Sequence, residues 1–239
     1  MLRALTAELH VVLRTNLIGV YLYGSLTQRA FDCRRSDVDC IVVVRRDLSG
    51  AQFRKLAAWL KREARSDPWV SRLQMQMLVR DTLLSPDNRG CLYQFGVLKR
   101  SGSDGNPIIW ANVLATGITL TGPAAASFLP PIAAETFFHA LVREVGYLRA
   151  EIADPASKWR DVPFYRSYAI LTLCRIMYSV RKGGVVSKPR AARWAGRALP
   201  AEWHSLVRRA MDRDRGKPAS LPLPRIAQFI AFVDAQLHA

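Results

Sequence analysis

Cys40-Ile-Val-Val-Val44 is an unbroken apolar run entered directly from Asp37-Val-Asp39. A short continuous stretch rich in β-branched residues favours a strand buried on both faces, and such a strand needs a covering layer on each side. Ile18-Gly-Val-Tyr-Leu-Tyr23 has the same composition and stops abruptly at Gly24-Ser25. That ending predicts a turn into a helix. Arg72-Leu-Gln-Met-Gln-Met-Leu-Val79 reads as a third strand, with Gln74 and Gln76 on one face and Leu73, Met75 and Met77 on the other. Between the last two, Ala51 to Arg65 repeats with helical period: Phe53, Leu56, Ala57, Leu60 and Ala64 share a stripe suited to covering the sheet. Met75 and Met77, like Trp59, Trp110, Trp194 and Trp203, are expected to fill cores.

The pattern changes along the chain. Ser101 to Pro107 has loop composition, and Gly122-Pro123 followed by Pro130-Pro131 marks a domain boundary, dividing the chain into 1–122 and 123–239. The second part reads as helices at about Ala134 to Ile152, Tyr165 to Arg181, Pro189 to Ala198, Ala201 to Arg213 and Pro224 to Leu237. Ser187 is placed to cap the third of these, with Pro189 in its first turn. The expected class is therefore α/β (α+β): an N-terminal mixed sheet with helices, then a C-terminal α-helical bundle.

Composition narrows the environment. Half of the 239 residues are apolar, enough for packed cores, and no apolar stretch approaches the roughly 18 residues that cross a bilayer. Met1 to Leu13 is broken by Arg3, Glu8 and His10, which does not read as a secretory leader, so a cytoplasmic, membrane-free protein is expected; the sequence does not give its oligomeric state, with a monomer the favoured expectation. Cys33, Cys40, Cys91 and Cys174 lack metal-site spacing and are expected to be buried free thiols. The net charge of +16 favours polyanionic ligands, but it is spread: 17 basic against 10 acidic residues up to Gly122, and 18 against 9 after it. Arg208, Arg209, Arg213, Arg215 and Lys217 alternate with Asp212 and Asp214, as on a solvated helix face. Nucleic acid is a less favoured partner, because no aromatic platform or finger motif accompanies the charge.

Asp37 and Asp39 carry the chemistry. In a strand, residues two apart point the same way at about 6.6 Å, so both carboxylates can converge on one hard divalent cation such as Mg²⁺, which shares its remaining positions with water and phosphate oxygens. Gly24 and Ser25, at the head of the expected helix, offer backbone N–H groups and a hydroxyl to those phosphates. The alternative is an ordinary turn beside two solvated acids.

Leu22-Tyr-Gly-Ser25 with Ser36-Asp-Val-Asp39 resembles the nucleotidyltransferase superfamily, and more closely its streptomycin/spectinomycin adenylyltransferases. Leu171-Thr-Leu-Cys-Arg-Ile-Met-Tyr178, Val186-Ser-Lys188, Ala191, Ala192, Trp194, Ala195 and Leu199-Pro200 extend the resemblance into the helical part. It implies an adenylyltransferase that moves AMP from Mg-ATP to a hydroxyl of a small acceptor, as in antibiotic resistance, with nucleotide and acceptor in a cleft between the two domains. Asp37 and Asp39 would bind Mg²⁺, Gly24, Ser25 and Ser36 would meet the triphosphate, and Arg175 and Lys188 would neutralise phosphate charge.

The chain also departs from that pattern. The family's general-base carboxylate aligns with Gln74, so Asp39 is left to take the proton, helped by the metal. A drug-facing tryptophan aligns with Leu98, after Gln94-Phe-Gly96. One acceptor-binding acid is kept as Asp161, while the other becomes Tyr165. These departures keep two alternatives open: a nucleotide-binding homologue with impaired catalysis, and a transferase acting on an RNA or protein acceptor.

Overall fold

The structure is a computed structural model that describes residues 1–85, 90–100 and 106–238. Residues 101–105 of the expected Ser101–Pro107 loop lie outside the described residues. The chain divides into two compact units, Met1–Ile132 and Ala133–Ala239.

The first unit is built on six strands: β1 (Leu17–Tyr23), β2 (Val38–Val44), β3 (Leu73–Val79), β4 (Gly90–Gln94), β5 (Val97–Arg100) and β6 (Ile118–Thr121). Their order is β5-β4-β3-β2-β1-β6. β2 and β3 pair in parallel, and the other neighbours pair antiparallel, so the sheet is mixed. Alternation sorts β2 cleanly. Val38, Cys40, Val42 and Val44 enter one core with Leu73, Met75 and Met77 of β3, while Ile41 and Val43 enter another with Tyr21, Tyr23 and Leu78.

Helices cover both faces. α1 (Leu2–Leu13) and α2 (Gly50–Glu63) close the first core with Leu5, Leu9, Leu56 and Leu60. A reciprocal capping box starts α2: Ser49 Oγ accepts from Gln52 N at 3.2 Å, and Ser49 N donates to Gln52 Oε1 at 3.0 Å. The short α3 (Pro68–Ser71) leads into β3. α4 (Pro107–Thr116) closes the opposite face through Trp110, whose Nε1 donates to Leu83 O at 3.0 Å. The segment after Gly122 stays with this unit. Tyr21 Oη donates to Pro123 O at 2.8 Å, and Ala125, Phe128 and Leu129 pack beside Tyr21.

The second unit is helical: α5 (Ala134–Ala153), α6 (Lys158–Asp161), α7 (Pro163–Lys182), α8 (Lys188–Ala198), α9 (Ala201–Asp214) and α10 (Leu223–Leu237). α7 buries residues around most of its circumference, including Ile170, Leu171, Leu173, Cys174 and Met177, which makes it the central helix of the bundle. Trp203, Phe229 and Phe232 stack between α9 and α10. Ser187 is the N-cap residue of α8, yet its hydroxyl makes no capping hydrogen bond.

Two expectations are corrected here. Cys40, Cys91 and Cys174 are buried free thiols, but Cys33 is exposed, because the loop carrying it lies outside the strand pattern. The helix expected after Gly24-Ser25 does not form. Residues 24–29 make successive turns instead, ending at Arg29 with φ 53°, a left-handed value that stops helical propagation.

Candidate active site

Asp39 lies in β2 directly opposite Tyr23 of β1 on one side and Gln74 of β3 on the other. Alternation sends it away from Val38 and Cys40, toward the face of Tyr23 and Ile41. The turn that follows β1 comes back against it. Gly24 has φ 77°, and a Cβ there would collide with Asp39 Oδ2 and lie 3.1 Å from its Cγ. Only glycine fits both that backbone angle and that proximity. Burial, and after it the Asp39 charge, pushes the neighbouring Cys40 thiol up and keeps it protonated. Asp37 is exposed, two residues earlier, just outside the strand.

The turn at residues 24–29 is pinned to α4. Gln28 Nε2 donates to Asn112 Oδ1, and the Thr27 and Thr116 hydroxyls meet at 3.1 Å. Gly24 O accepts from Gln28 N at 3.1 Å, and Ser25 O accepts from Ala30 N at 3.0 Å. Ser25 is therefore held by a fixed turn rather than at a helix N-terminus. Ser36 belongs to a second tight loop: its Oγ accepts from Asp32 N at 2.9 Å, and its N donates to Asp32 O at 2.8 Å. The Arg35 guanidinium, with the Arg34 backbone N–H, holds the Asp32 carboxyl below the usual carboxylate range.

Arg72 was not singled out in the sequence, yet it straps this loop. It donates from Nη1 to Cys33 O at 2.7 Å and from Nη2 to Ser36 O, its guanidinium lies over the Trp69 ring, and its carbonyl accepts from Val38 N. A basic residue at a strand entrance gives no local signal of such a role.

Gln74 shares the Asp39 row, and Gln76 lies two positions along the same face. Gln76 Oε1 is buried without a hydrogen-bond partner among the described residues. The pairing of Met75 with Tyr93 continues the row to Gln94. Leu98 packs on the opposite core with β4 and α2, so it does not share a face with Asp39. Among the described residues no group of three or more His, Cys, Asp or Glu could hold a metal ion. Asp37 and Asp39 offer only oxygen donors, the ligand type that a hard cation takes.

The remaining predicted residues sit in the helical unit. Arg175 is in the middle of α7, and its Nε donates to Val186 O at 3.0 Å. Lys188 opens α8 with its Nζ 4.8 Å from the Tyr168 ring centroid. Asp161 ends α6 exposed to solvent. Tyr165 stacks on Trp159 with centroids 5.0 Å apart, and Lys158 Nζ lies 5.1 Å from the Tyr165 ring centroid.

Residues 127–236 match a family model described as the C-terminal domain of aminoglycoside adenylyltransferase. Over that part the chain is similar to aminoglycoside adenylyltransferases. An aminoglycoside (3'') (9) adenylyltransferase of Rhizobium radiobacter is 32% identical over 123 residues, an alignment that spans 50% of this chain and 43% of that protein. Its counterpart in Klebsiella pneumoniae is 26% identical over 245 residues, spanning 94% of this chain and 89% of that one. The Escherichia coli protein of the same name is 27% identical over 239 residues, spanning 92% and 86%. A crystal structure of a spectinomycin adenyltransferase from Enterococcus faecialis, solved with ATP and spectinomycin, superposes with a TM-score of 0.78 over 100% of this chain and 98% of that one. At 17% identity this likeness shows the fold alone, an α/β nucleotidyltransferase-like architecture.

Proposed function

We propose that this protein transfers AMP from Mg-ATP to a hydroxyl group of a small acceptor of the aminoglycoside class. The observation that carries the reading is the close approach of the Asp39 carboxylate to the Gly24 turn, which supports a phosphate site beside that acid.

Asp37 and Asp39 would hold Mg²⁺, which when bound offsets charge on the phosphate oxygens. The Ser25 and Ser36 hydroxyls donate to the triphosphate, with Gly24 leaving room beside them. Arg175 and Lys188 supply countercharge to the nucleotide. Asp161 and Tyr165 contact the acceptor. Its hydroxyl oxygen attacks the α-phosphorus, the bond to the β-phosphate oxygen breaks, pyrophosphate leaves, and the hydroxyl proton passes to Asp39. The protein's part is positioning and charge neutralisation. A monomer acting in the cytoplasm, where ATP is held, completes the proposal.

The register of Gln74 against Asp39 favours a second reading, nucleotide binding with weakened catalysis, since an amide has no useful basicity. One experiment addresses both. Mg-ATP is titrated calorimetrically into wild type and Asp37→Asn/Asp39→Asn, with and without streptomycin or spectinomycin, and pyrophosphate release is followed in parallel for wild type and Gln74→Glu. Transfer predicts at least about a tenfold loss of nucleotide affinity in the double variant. Equal affinity would refute the site. A gain of roughly 10² or more for Gln74→Glu over a barely active wild type would favour the second reading.

A further inference from the structure

Counted by halves, the positive charge of the chain is evenly spread, yet α7, α8 and α9 gather it. From Val162 to Met211 there are ten Lys and Arg residues and a single acid, Glu202. The three helices pack on one another within the second unit. α8 shows the sharpest division. Ala191, Ala192 and Ala195 are buried on one side, while Arg190, Arg193 and Arg197, at positions i, i+3 and i+7, are exposed on the other. The row covers about 10 Å of helix axis. α9 adds Arg208 and Arg209, both exposed, on the side away from buried Trp203, Leu206, Val207 and Ala210.

Among the described residues none of these five arginines forms an ion pair. Arg197 Nε donates to Arg193 O at 3.3 Å and Arg209 Nη2 donates to Ser205 Oγ at 3.2 Å, contacts that neutralise no charge. Asp212, one turn beyond Arg208, is met instead by Lys217 at 3.8 Å. Like charges three and four residues apart destabilise a helix. Lys188 and Arg190 also put cations into the first turn of α8, where the helix dipole disfavours them. A polyanion lying along the row relieves both costs.

The make-up of the surface selects the polyanion. Its five cations are all arginines, which suit bidentate pairing with phosphate. An interfacial membrane helix needs apolar side chains to insert beside its cations, and α8 has none free: the Trp194 ring packs edge-on against Tyr178 at 5.6 Å. Single strands need exposed aromatic rings on which unpaired bases stack, and no large apolar residue of α8 or α9 is exposed among the described residues. A helix that reads base edges in DNA mixes amide and hydroxyl side chains with its arginines, and the exposed row of α8 has neither. Recognition by shape and phosphate remains, which is how duplex RNA is bound.

We infer that the arginine row of α8, extended by Arg208 and Arg209 of α9, is a docking surface for the phosphate backbone of duplex RNA. The surface lies within the second unit, and the inference is independent of the transfer reading above. The test follows the fluorescence anisotropy of a labelled RNA duplex of about 20 base pairs, titrated with the full chain over a series of salt concentrations. Wild type is compared with Arg190→Gln/Arg193→Gln/Arg197→Gln, with Arg208→Gln/Arg209→Gln, and with Arg54→Gln/Lys55→Gln/Lys61→Gln, which removes three exposed charges from α2.

The α8 triple variant should bind RNA at least about tenfold more weakly at roughly 0.1 M salt, and the slope of log affinity against log salt should shrink by about two or more. The α9 double variant should lose about threefold or more, and the α2 variant should stay within about threefold of wild type. Helical circular dichroism should be unchanged, because glutamine is a good helix former and its introduction removes like-charge repulsion. If the α8 variant loses its helical signal, the α9 variant decides. Equal losses in the α8 and α2 variants overturn the inference, since net charge alone would then account for binding. So does a wild type that binds no RNA duplex, or that binds the single strand, a DNA duplex of the same sequence or phosphatidylserine vesicles more tightly.

Discussion

At Gly24 two requirements meet in one residue. The left-handed φ of 77° would strain any L side chain, and a methyl group would strike the Asp39 carboxylate. Gly24→Ala therefore costs about 1 kcal/mol or more in backbone strain and additionally displaces the acid. The expected outcome is a lower melting temperature together with a rise of at least about tenfold in the Mg-ATP dissociation constant, measured by calorimetry at a temperature where the variant stays folded. A destabilised variant that binds nucleotide normally would show that the placement of Asp39 is not what the turn protects. Gln76 shows the same economy from the other side: its buried, unpartnered Oε1 is a tolerated cost on the face that holds the acid.

At the scale of elements, the loop from Asp32 to Ser36 holds its shape through Arg72, which reaches it from the start of β3. Arg72→Met keeps the stem but removes both hydrogen bonds and the contact with Trp69. A loss of roughly 1–2 kcal/mol is expected, discounted because the pair is partly solvated, and seen as a drop of a few degrees in melting temperature. Mg-ATP affinity should fall by about threefold or more as Ser36 and Asp37 lose their anchor. A variant with full nucleotide affinity would separate the loop from the site. Local pattern made β1, β2 and β3 legible to within a residue or so, and put Leu73, Met75 and Met77 in the core opposite Gln74 and Gln76, because period-two alternation is a local property. The helices of the second unit were readable for the same kind of reason. α4 escaped notice because it is apolar with little periodicity, and β4–β5 because Phe95-Gly96 replaces the usual hairpin signal. The juxtaposition of Tyr23, Asp39 and Gln74 arises from strand pairing across distant segments, which no local window records.

For the whole molecule, alkaline pH is a probe of both units at once. Burial pushes Tyr21 in the sheet unit up to about 12 and, with help from Glu151 and Glu144, pushes Tyr147 in the helical unit up to about 12. A phenol raised on folding contributes stability that is intact below its unfolded value of 10.0 and is lost as pH rises toward 12. Thermal denaturation should therefore show a falling melting temperature across that window. Tyr21→Phe should start about 1 kcal/mol less stable near neutral pH, having lost the hydrogen bond to Pro123 O, and then decline less steeply. Parallel declines would place the alkaline sensitivity elsewhere.

The central position of β2 has a consequence for the history of such a chain. Hydrogen bonds stitch the strand on both edges, and apolar residues crowd it above and below. Sliding by a single position would drive its carboxylate into oil and force every apolar side chain of the strand into the opposite core. Drift can therefore delete this acid or swap it for another residue, but cannot migrate it to a neighbouring site, so innovation among descendants is channelled into the hairpins and bundle faces around a stationary charge.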